Sequence, residues 1–188
     1  MDLNTIEMYV KSKISQKRYN HSVGVMNMCE KLAKIYNADI EKAKKVGIAH
    51  DMAKEISTDE LLKYIEKNNI NLSSTEKNMP FLFHGIVAAD IAKKELQFDD
   101  EMSSAIANHT ISKPNMTILE KILFVSDKIE ENRTYEDVEF YRNLAYEDID
   151  KCIVKIIDFQ IESDIKKEII IPQKSIESRN YILINQKK

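Results

Sequence analysis

The chain has no tryptophan, only three glycines and three prolines, and just two cysteines among its 188 residues. So few turn-forming residues argue against a turn-rich β fold, and abundant Lys, Glu, Ile and Leu favour helices. Cys29 and Cys152 form no CxxC pair and no disulfide framework, which predicts a reducing, cytoplasmic setting. No run approaches the roughly 20 apolar residues that a bilayer span needs, and Met1-Asp2-Leu3-Asn4 opens no charged-then-apolar leader. No membrane partner is expected. A large charge excess is missing as well. At a net charge of −3 there is no global pull toward nucleic acid, and no basic stripe interleaved with aromatics. A polyanionic substrate would therefore need a local basic pocket. What is present, 43% hydrophobic residues, can bury one substantial core, and the length suits one all-α domain over residues 1–188.

Helical periodicity runs from end to end. The spacing predicts a first helix over Asn4–Ser15 and a second from Gln16, with His21, Val25, Met28, Leu32 and Ile35 in register. Asp39 reads as the N-cap of a third helix reaching Glu55, which would carry His50 and Asp51 near its end. Ser57 and Glu60 form a capping-box pattern ahead of a fourth helix, Asp59–Lys67. The polar stretch Asn68–Pro80 reads as a loop. Helices are expected over Gly85–Gln97, opened by His84, and from Asp99-Asp100 to His109-Thr110. Thr117 and Glu120 form a second capping box, for an apolar helix running through Asp127 to Glu131. Weaker helical patterns cover Glu136–Ala145 and Asp148–Ser163. The β-branched tail Ile169-Ile170-Ile171 reads as extended, with a last helix from Ser175.

All four histidines fall into one ordered series: His21, His50 followed at once by Asp51, His84, and His109, with Asp127 after them. A lone histidine on a helix is more often a core or surface residue than a ligand; the series changes that reading. Imidazole and carboxylate are the donors that hold borderline divalent metals. His50 and Asp51 are about 100° apart on a helix, so both can lean into one pocket. Asp127 follows the apolar run Ile122-Leu123-Phe124-Val125, where a carboxylate is expensive unless paired or metal-bound. Arg18, Lys54 and Arg133 stand within a few residues of His21, Asp51 and Asp127, at the rim of any such pocket. There arginine suits bidentate phosphate contacts and lysine acts as a point charge. Thr110 adds a hydroxyl. Cys29, on an apolar face with Val25 and Met28, reads as a small core residue, as does Cys152.

The pieces Arg18-Tyr19-Asn20-His21-Ser22, His50-Asp51-Met52-Ala53-Lys54, His84-Gly85-Ile86-Val87-Ala88-Ala89, Ala105-Ile106-Ala107-Asn108-His109-Thr110 and Asp127-Lys128-Ile129-Glu130, with Asn132-Arg133, occur in one order. In that order the chain resembles the HD-domain phosphohydrolase superfamily, whose pattern is H…HD…D. More closely it resembles the YqeK-type symmetrical bis(5'-nucleosyl)-tetraphosphatases of bacteria, over about residues 15–145. The resemblance implies a single-domain HD helical bundle with a C-terminal helical extension over about 146–188. It implies two metal ions held by His21, His50, Asp51, His84, His109 and Asp127. Iron is favoured for both, while manganese, cobalt or zinc also suit the donors. Asp51 would bridge the metals, and Asp51, His84 and His109 would be the catalytic groups. The implied activity is symmetrical hydrolysis of diadenosine tetraphosphate to two ADP by a metal-bound hydroxide. The tail residues Ile170, Lys174 and Ser175 would wall the base. The chain departs from the family pattern at His109-Thr110-Ile111-Ser112, where His-Thr-Thr-Gly is usual, at Ser126 for alanine, and at Glu131 for proline. Two other readings stay open: an HD phosphohydrolase of mononucleotides, and a non-enzymatic nucleotide-binding helical module. An HD-GYP phosphodiesterase is disfavoured, since no Gly-Tyr-Pro triplet occurs. The apolar Leu123-Phe124 region and the tail leave room for a homodimer.

Overall fold

A computed structural model describes residues 1–186. Its helices, in chain order, are α1 (Leu3–Lys11), α2 (Gln16–Ile35), α3 (Ile40–Ala49), α4 (Thr58–Lys67), α5 (Ser74–Lys77), α6 (Phe83–Glu95), α7 (Asp100–Ala107), α8 (Ile118–Ile129), α9 (Val138–Glu147), α10 (Ile149–Lys166) and α11 (Gln173–Asn185). A 3-10 turn, Pro80–Leu82, leads into α6. There is no strand among the described residues, so the chain is all-α as expected. The last two residues of the C-terminal extension, 187 and 188, lie outside the described residues.

Side-chain caps begin most of these helices. Asp2, Ser15, Asp39, Asp99 and Asp148 each accept from a backbone N–H in the first turn of their helix. Ser57 with Glu60 and Thr117 with Glu120 close both predicted capping boxes. A third box, Ser73 with Glu76, starts the one-turn α5 inside the stretch read as a loop.

The core is built around α8, whose Leu119, Ile122, Leu123, Phe124, Val125 and Ile129 are all buried. Around it pack α2, α3, α7, α9 and α10, and α11 lies on α10. The tightest pairing is α2 on α3, and Gly47 makes it so. A Cβ there would stand 2.7 Å from the Cα of Met26. This close approach brings His21 on α2 to the end of α3. Burial keeps both thiols protonated, raising Cys29 and Cys152 each to about 12.

Three expectations need correction. The third helix stops at Ala49, not Glu55, and turns carry the chain from His50 to Ile56. The first ends at Lys11, four residues short of Ser15. Leu123 and Phe124 are fully buried against the core and offer no dimer surface. The tail before Pro172 lies outside any helix, with Ile169 and Ile170 exposed. Among the described residues no helix is long and apolar enough to cross a membrane.

Candidate metal centre

The six predicted ligands come together from five places in the fold: the second turn of α2, the end of α3 and the turn after it, the start of α6, the second residue past α7, and the last turn of α8. Asp51 is the hub. Its Oδ1 lies 3.3 Å from His84 Nε2 and 3.5 Å from His109 Nε2. Its Oδ2 lies 3.5 Å from His50 Nε2 and 3.8 Å from His21 Nε2. One carboxylate thus presents each oxygen to a different histidine pair. Asp127 completes the second side, with Oδ1 at 3.1 Å from His21 Nε2 and 3.7 Å from His50 Nε2. Two sets of donor atoms, His21–His50–Asp127 and His50–Asp51–His109, each lie mutually within 4.8 Å. The rings of His21, His50, His109 and His84 form a chain of edge-on neighbours, 4.9 to 5.4 Å between centroids.

The orientation of these rings decides whether a cation fits. His50 and His109 each turn Nδ1 onto the carbonyl three residues back, Gly47 O at 2.8 Å and Ile106 O at 2.7 Å. A carbonyl only accepts, so each Nδ1 carries the proton and Nε2 faces the pocket. His50 Nε2, His21 Nε2 and Asp51 Oδ1 are buried there without a hydrogen-bond partner. Buried acceptors with nothing to accept are what a cation satisfies.

The electrostatics agree. Burial alone would lower the His50 imidazole, but the Asp51 and Asp127 carboxylates override it and raise it to about 9. Without a metal ion, the positive charge that the two carboxylates favour is a proton on His50 itself, one that a bound cation would replace. Burial drives His109 down to about 4, leaving it neutral with a free lone pair. Both carboxyls stay ionised against the upward push of burial. His50, His109 and His84 hold Asp51 far below the ordinary range, and Lys128, His21 and His50 do the same for Asp127.

The predicted phosphate contacts divide. Arg18 Nη1 donates to Asp51 Oδ2 at 2.9 Å, and Lys54 Nζ donates to His84 Nε2 at 3.1 Å. Burial pushes the Lys54 ammonium below its ordinary value, although Asp51 and Asp127 oppose the shift. Thr110 Oγ1 lies 3.3 Å from His109 Nε2 and 3.5 Å from His84 Nε2. Arg133 donates from Nε to Asp127 O and from Nη2 to Asp127 Oδ1, both at 3.0 Å. Arg18 and Arg133 also line a cavity of about 780 Å³ with His21, Lys17, Asn20 and Asn132. Ser175 lines a cavity of about 130 Å³ shared with Thr110. Lys174 instead pairs with Glu76 on α5 at 2.8 Å, and Ile170 is exposed.

Sequence reasoning gave no role to Lys128 or Glu130. Lys128 Nζ donates to Asp127 Oδ2 at 2.7 Å and to His109 O at 3.1 Å. Glu130 Oε1 lies 3.2 Å from His21 Nδ1. Both lie in the segment Asp127-Lys128-Ile129-Glu130, where their charge alone reads as solvated surface until the fold buries it.

The comparisons agree with this geometry. The HD domain family model matches residues 18–132, a span that contains all six clustered side chains. The chain is 36% identical over 149 residues to the symmetrical bis(5'-nucleosyl)-tetraphosphatase of Bacillus subtilis (strain 168), covering 79% of this chain and 80% of that one. It is 32% identical over 184 residues to the enzyme of the same name from Staphylococcus aureus (strain NCTC 8325 / PS 47), covering 96% and 94%. A crystal structure of a predicted HD superfamily hydrolase involved in NAD metabolism, from Clostridium acetobutylicum, superposes with a TM-score of 0.94 at 33% identity over 98% of both chains. With its family span, its helical architecture and its buried His/Asp cluster in agreement, the chain belongs to the HD domain family.

Proposed function

We propose that the protein is a metal-dependent hydrolase that cleaves diadenosine tetraphosphate symmetrically, releasing two ADP. The observation that carries this reading is the Asp51 carboxylate, whose two oxygens face separate histidine pairs. The similarity to two symmetrical tetraphosphatases over most of the chain supplies the substrate class. His21, His50 and Asp127 would hold one cation and His84 with His109 the other, with Asp51 between them. The donors are nitrogen and oxygen only, which suits iron, manganese, cobalt or zinc; iron is the expected pair, from the family resemblance. Two bound divalent cations supply a water activated near neutral pH and neutralise charge on the phosphoryl oxygens.

The chain's own groups do the rest. The bond that breaks joins a central phosphorus to the oxygen between the two middle phosphates, and water's oxygen takes its place. Each half then leaves as ADP. Arg18 and Arg133, now paired to Asp51 and Asp127, stand where their planar forks can pass to phosphate oxygens. Lys54, half-desolvated beside His84, adds a point charge, and Thr110 a hydroxyl, on the opposite side. The cavity lined by Lys17, Asn20 and Asn132 has room for one nucleotide arm. The smaller space beside Ser175 and Thr110 borders the other. Two buried, unpaired thiols fit the reducing cytoplasm as the working compartment.

Asp51→Asn tests the reading. It keeps the shape and removes the charge that both histidine pairs share. The variant is expected to lose bound metal and to release no ADP from diadenosine tetraphosphate. Hydrolysis at the wild-type rate with the metal gone would refute the mechanism. A wild-type enzyme that released phosphate from mononucleotides alone would refute the substrate.

A further inference from the structure

We infer that Glu130 is a positioning residue for the metal centre, which holds the His21 ring with Nε2 toward the cation, and that Gly24 exists to make room for it. Three observations converge on this pair.

The first is what His21 lacks. His50 and His109 sit at helix ends, and each borrows a carbonyl of its own last turn to fix its ring. His21 lies inside α2, where backbone carbonyls are taken up by the helix ladder. Its Nδ1 must find a partner elsewhere, and it finds Glu130 Oε1 at 3.2 Å.

The second is how firmly Glu130 is held. It is buried, with 2% exposure, at the C-cap of α8. Its Oε2 accepts from the backbone N–H of Asn132 at 2.7 Å and from Asn132 Nδ2 at 3.0 Å. Arg142 of α9 fixes the backbone around it, donating to Ile129 O, Glu130 O and Arg133 O. Both carboxylate oxygens are thus engaged as acceptors, one toward the ligand and one toward the loop. A glutamine amide can meet only one of those two demands, because its nitrogen would face a donor.

The third is the space itself. A Cβ at position 24 would stand 2.3 Å from Glu130 Oε2. Gly24 is one of only three glycines in the chain and sits in mid-helix, where alanine would be the better helix former. The carboxylate at its back explains the choice.

Partners of this kind fix the tautomer and orientation of a ligating histidine, and removing one typically weakens metal affinity 10- to 100-fold. The inference rests on His21 being a metal ligand, so the experiment separates the two. Metal-free wild type, Glu130→Ala, Glu130→Gln, Gly24→Ala, the Gly24→Ala/Glu130→Ala double variant and His21→Ala are titrated with Mn(II) against a chromophoric chelator. Circular dichroism of each metal-free protein reports the fold. Glu130→Ala is expected to bind roughly 10- to 100-fold more weakly, with Glu130→Gln between it and wild type. Gly24→Ala should reproduce the loss by pushing the carboxylate off His21 while keeping its helix. The double variant should bind no worse than Glu130→Ala alone. If Glu130→Ala and Gly24→Ala bind Mn(II) as tightly as wild type while His21→Ala does not, the positioning role is wrong and Glu130 only caps its loop. If His21→Ala also binds like wild type, His21 is no ligand and the inference falls with that assignment. Should Glu130→Ala fail to fold, Gly24→Ala alone decides.

Discussion

Gly47→Ala is a substitution for which two effects of opposite sign can be weighed. Gly47 lies near the end of α3, so alanine gains helix propensity of ~1 kcal/mol. Against that, the new Cβ would meet the Met26 Cα at 2.7 Å, the Met26 N at 3.0 Å and Cys29 Sγ at 3.2 Å. Two of those three atoms are backbone and cannot swing aside. Restoring an ordinary contact of 3.4 Å from 2.7 Å requires α2 and α3 to part by 3.4 − 2.7 = 0.7 Å. Overpacking of a well-filled core costs about 1–3 kcal/mol, and a backbone clash belongs in the upper part of that range. The net expectation is a loss of ~1–2 kcal/mol, which for a chain of this size lowers Tm by roughly 2–8 °C. Thermal unfolding followed by circular dichroism, with chelator present throughout, measures it. The same parting moves His21 away from His50, so metal affinity should fall together with stability. A Gly47→Ala protein with unchanged or higher Tm would show that the helices yield freely, and that close approach does not set the α2–α3 spacing.

Other perturbations probe the centre and its surroundings. Loading with divalent metal at about 100-fold above its Kd should add ~2.7 kcal/mol of stability, raising Tm by roughly 5–11 °C; Asp127→Ala should abolish that shift, and a variant that keeps it would remove Asp127 from the ligand set. Arg133→Lys loses the fork that reaches both Asp127 O and Asp127 Oδ1, so kcat/KM for diadenosine tetraphosphate should fall roughly 10- to 100-fold; a change within twofold would make Arg133 a bystander. Glu76 gives a pH test. Burial would raise its carboxyl, but Lys174 and the Ser73 N–H hold it below the ordinary glutamate value. A depressed folded pKa contributes stability above the unfolded value that is lost as pH falls through the folded one. Lys174→Ala should therefore lower Tm at neutral pH and lose its effect in acid, and a pH-independent difference would contradict the pairing.

The helices and the order of the ligands are legible in the sequence because both are local. Ser57 with Glu60 and Thr117 with Glu120 announce helix starts through hydrogen bonds that span three residues. The end of α3 is not legible. Met52-Ala53-Lys54-Glu55 has good helix propensity, yet the helix stops where the His50 ring takes the Gly47 carbonyl and Asp51 turns inward. Tertiary demand at the centre overrides propensity there. The Ser73–Glu76 box was visible in principle, but one helical turn in a polar stretch leaves no periodicity to read. Glu130 is hidden for a different reason. Beyond Asp127, Lys128-Ile129-Glu130-Glu131 is charged at three of four positions, and only the packing of α8 under α2 and α9 separates the buried Glu130, against His21, from the solvated Glu131.

His50 and His109 each pin the last turn of their own helix with one ring nitrogen and face the cation pocket with the other. On the ligand assignment proposed above, the same imidazole would be both a helix stop and a metal donor. A cation drawing on Nε2 would make the Nδ1–H more acidic and strengthen its bond to Gly47 or Ile106, so occupancy of the pocket would tighten the ends of α3 and α7. The converse holds as well: a frayed helix end lets the ring rotate and the donor is lost. On that assignment, metal capture and local folding would form one equilibrium at these two positions, and a sequence change that loosens either helix end is expected to change metal affinity.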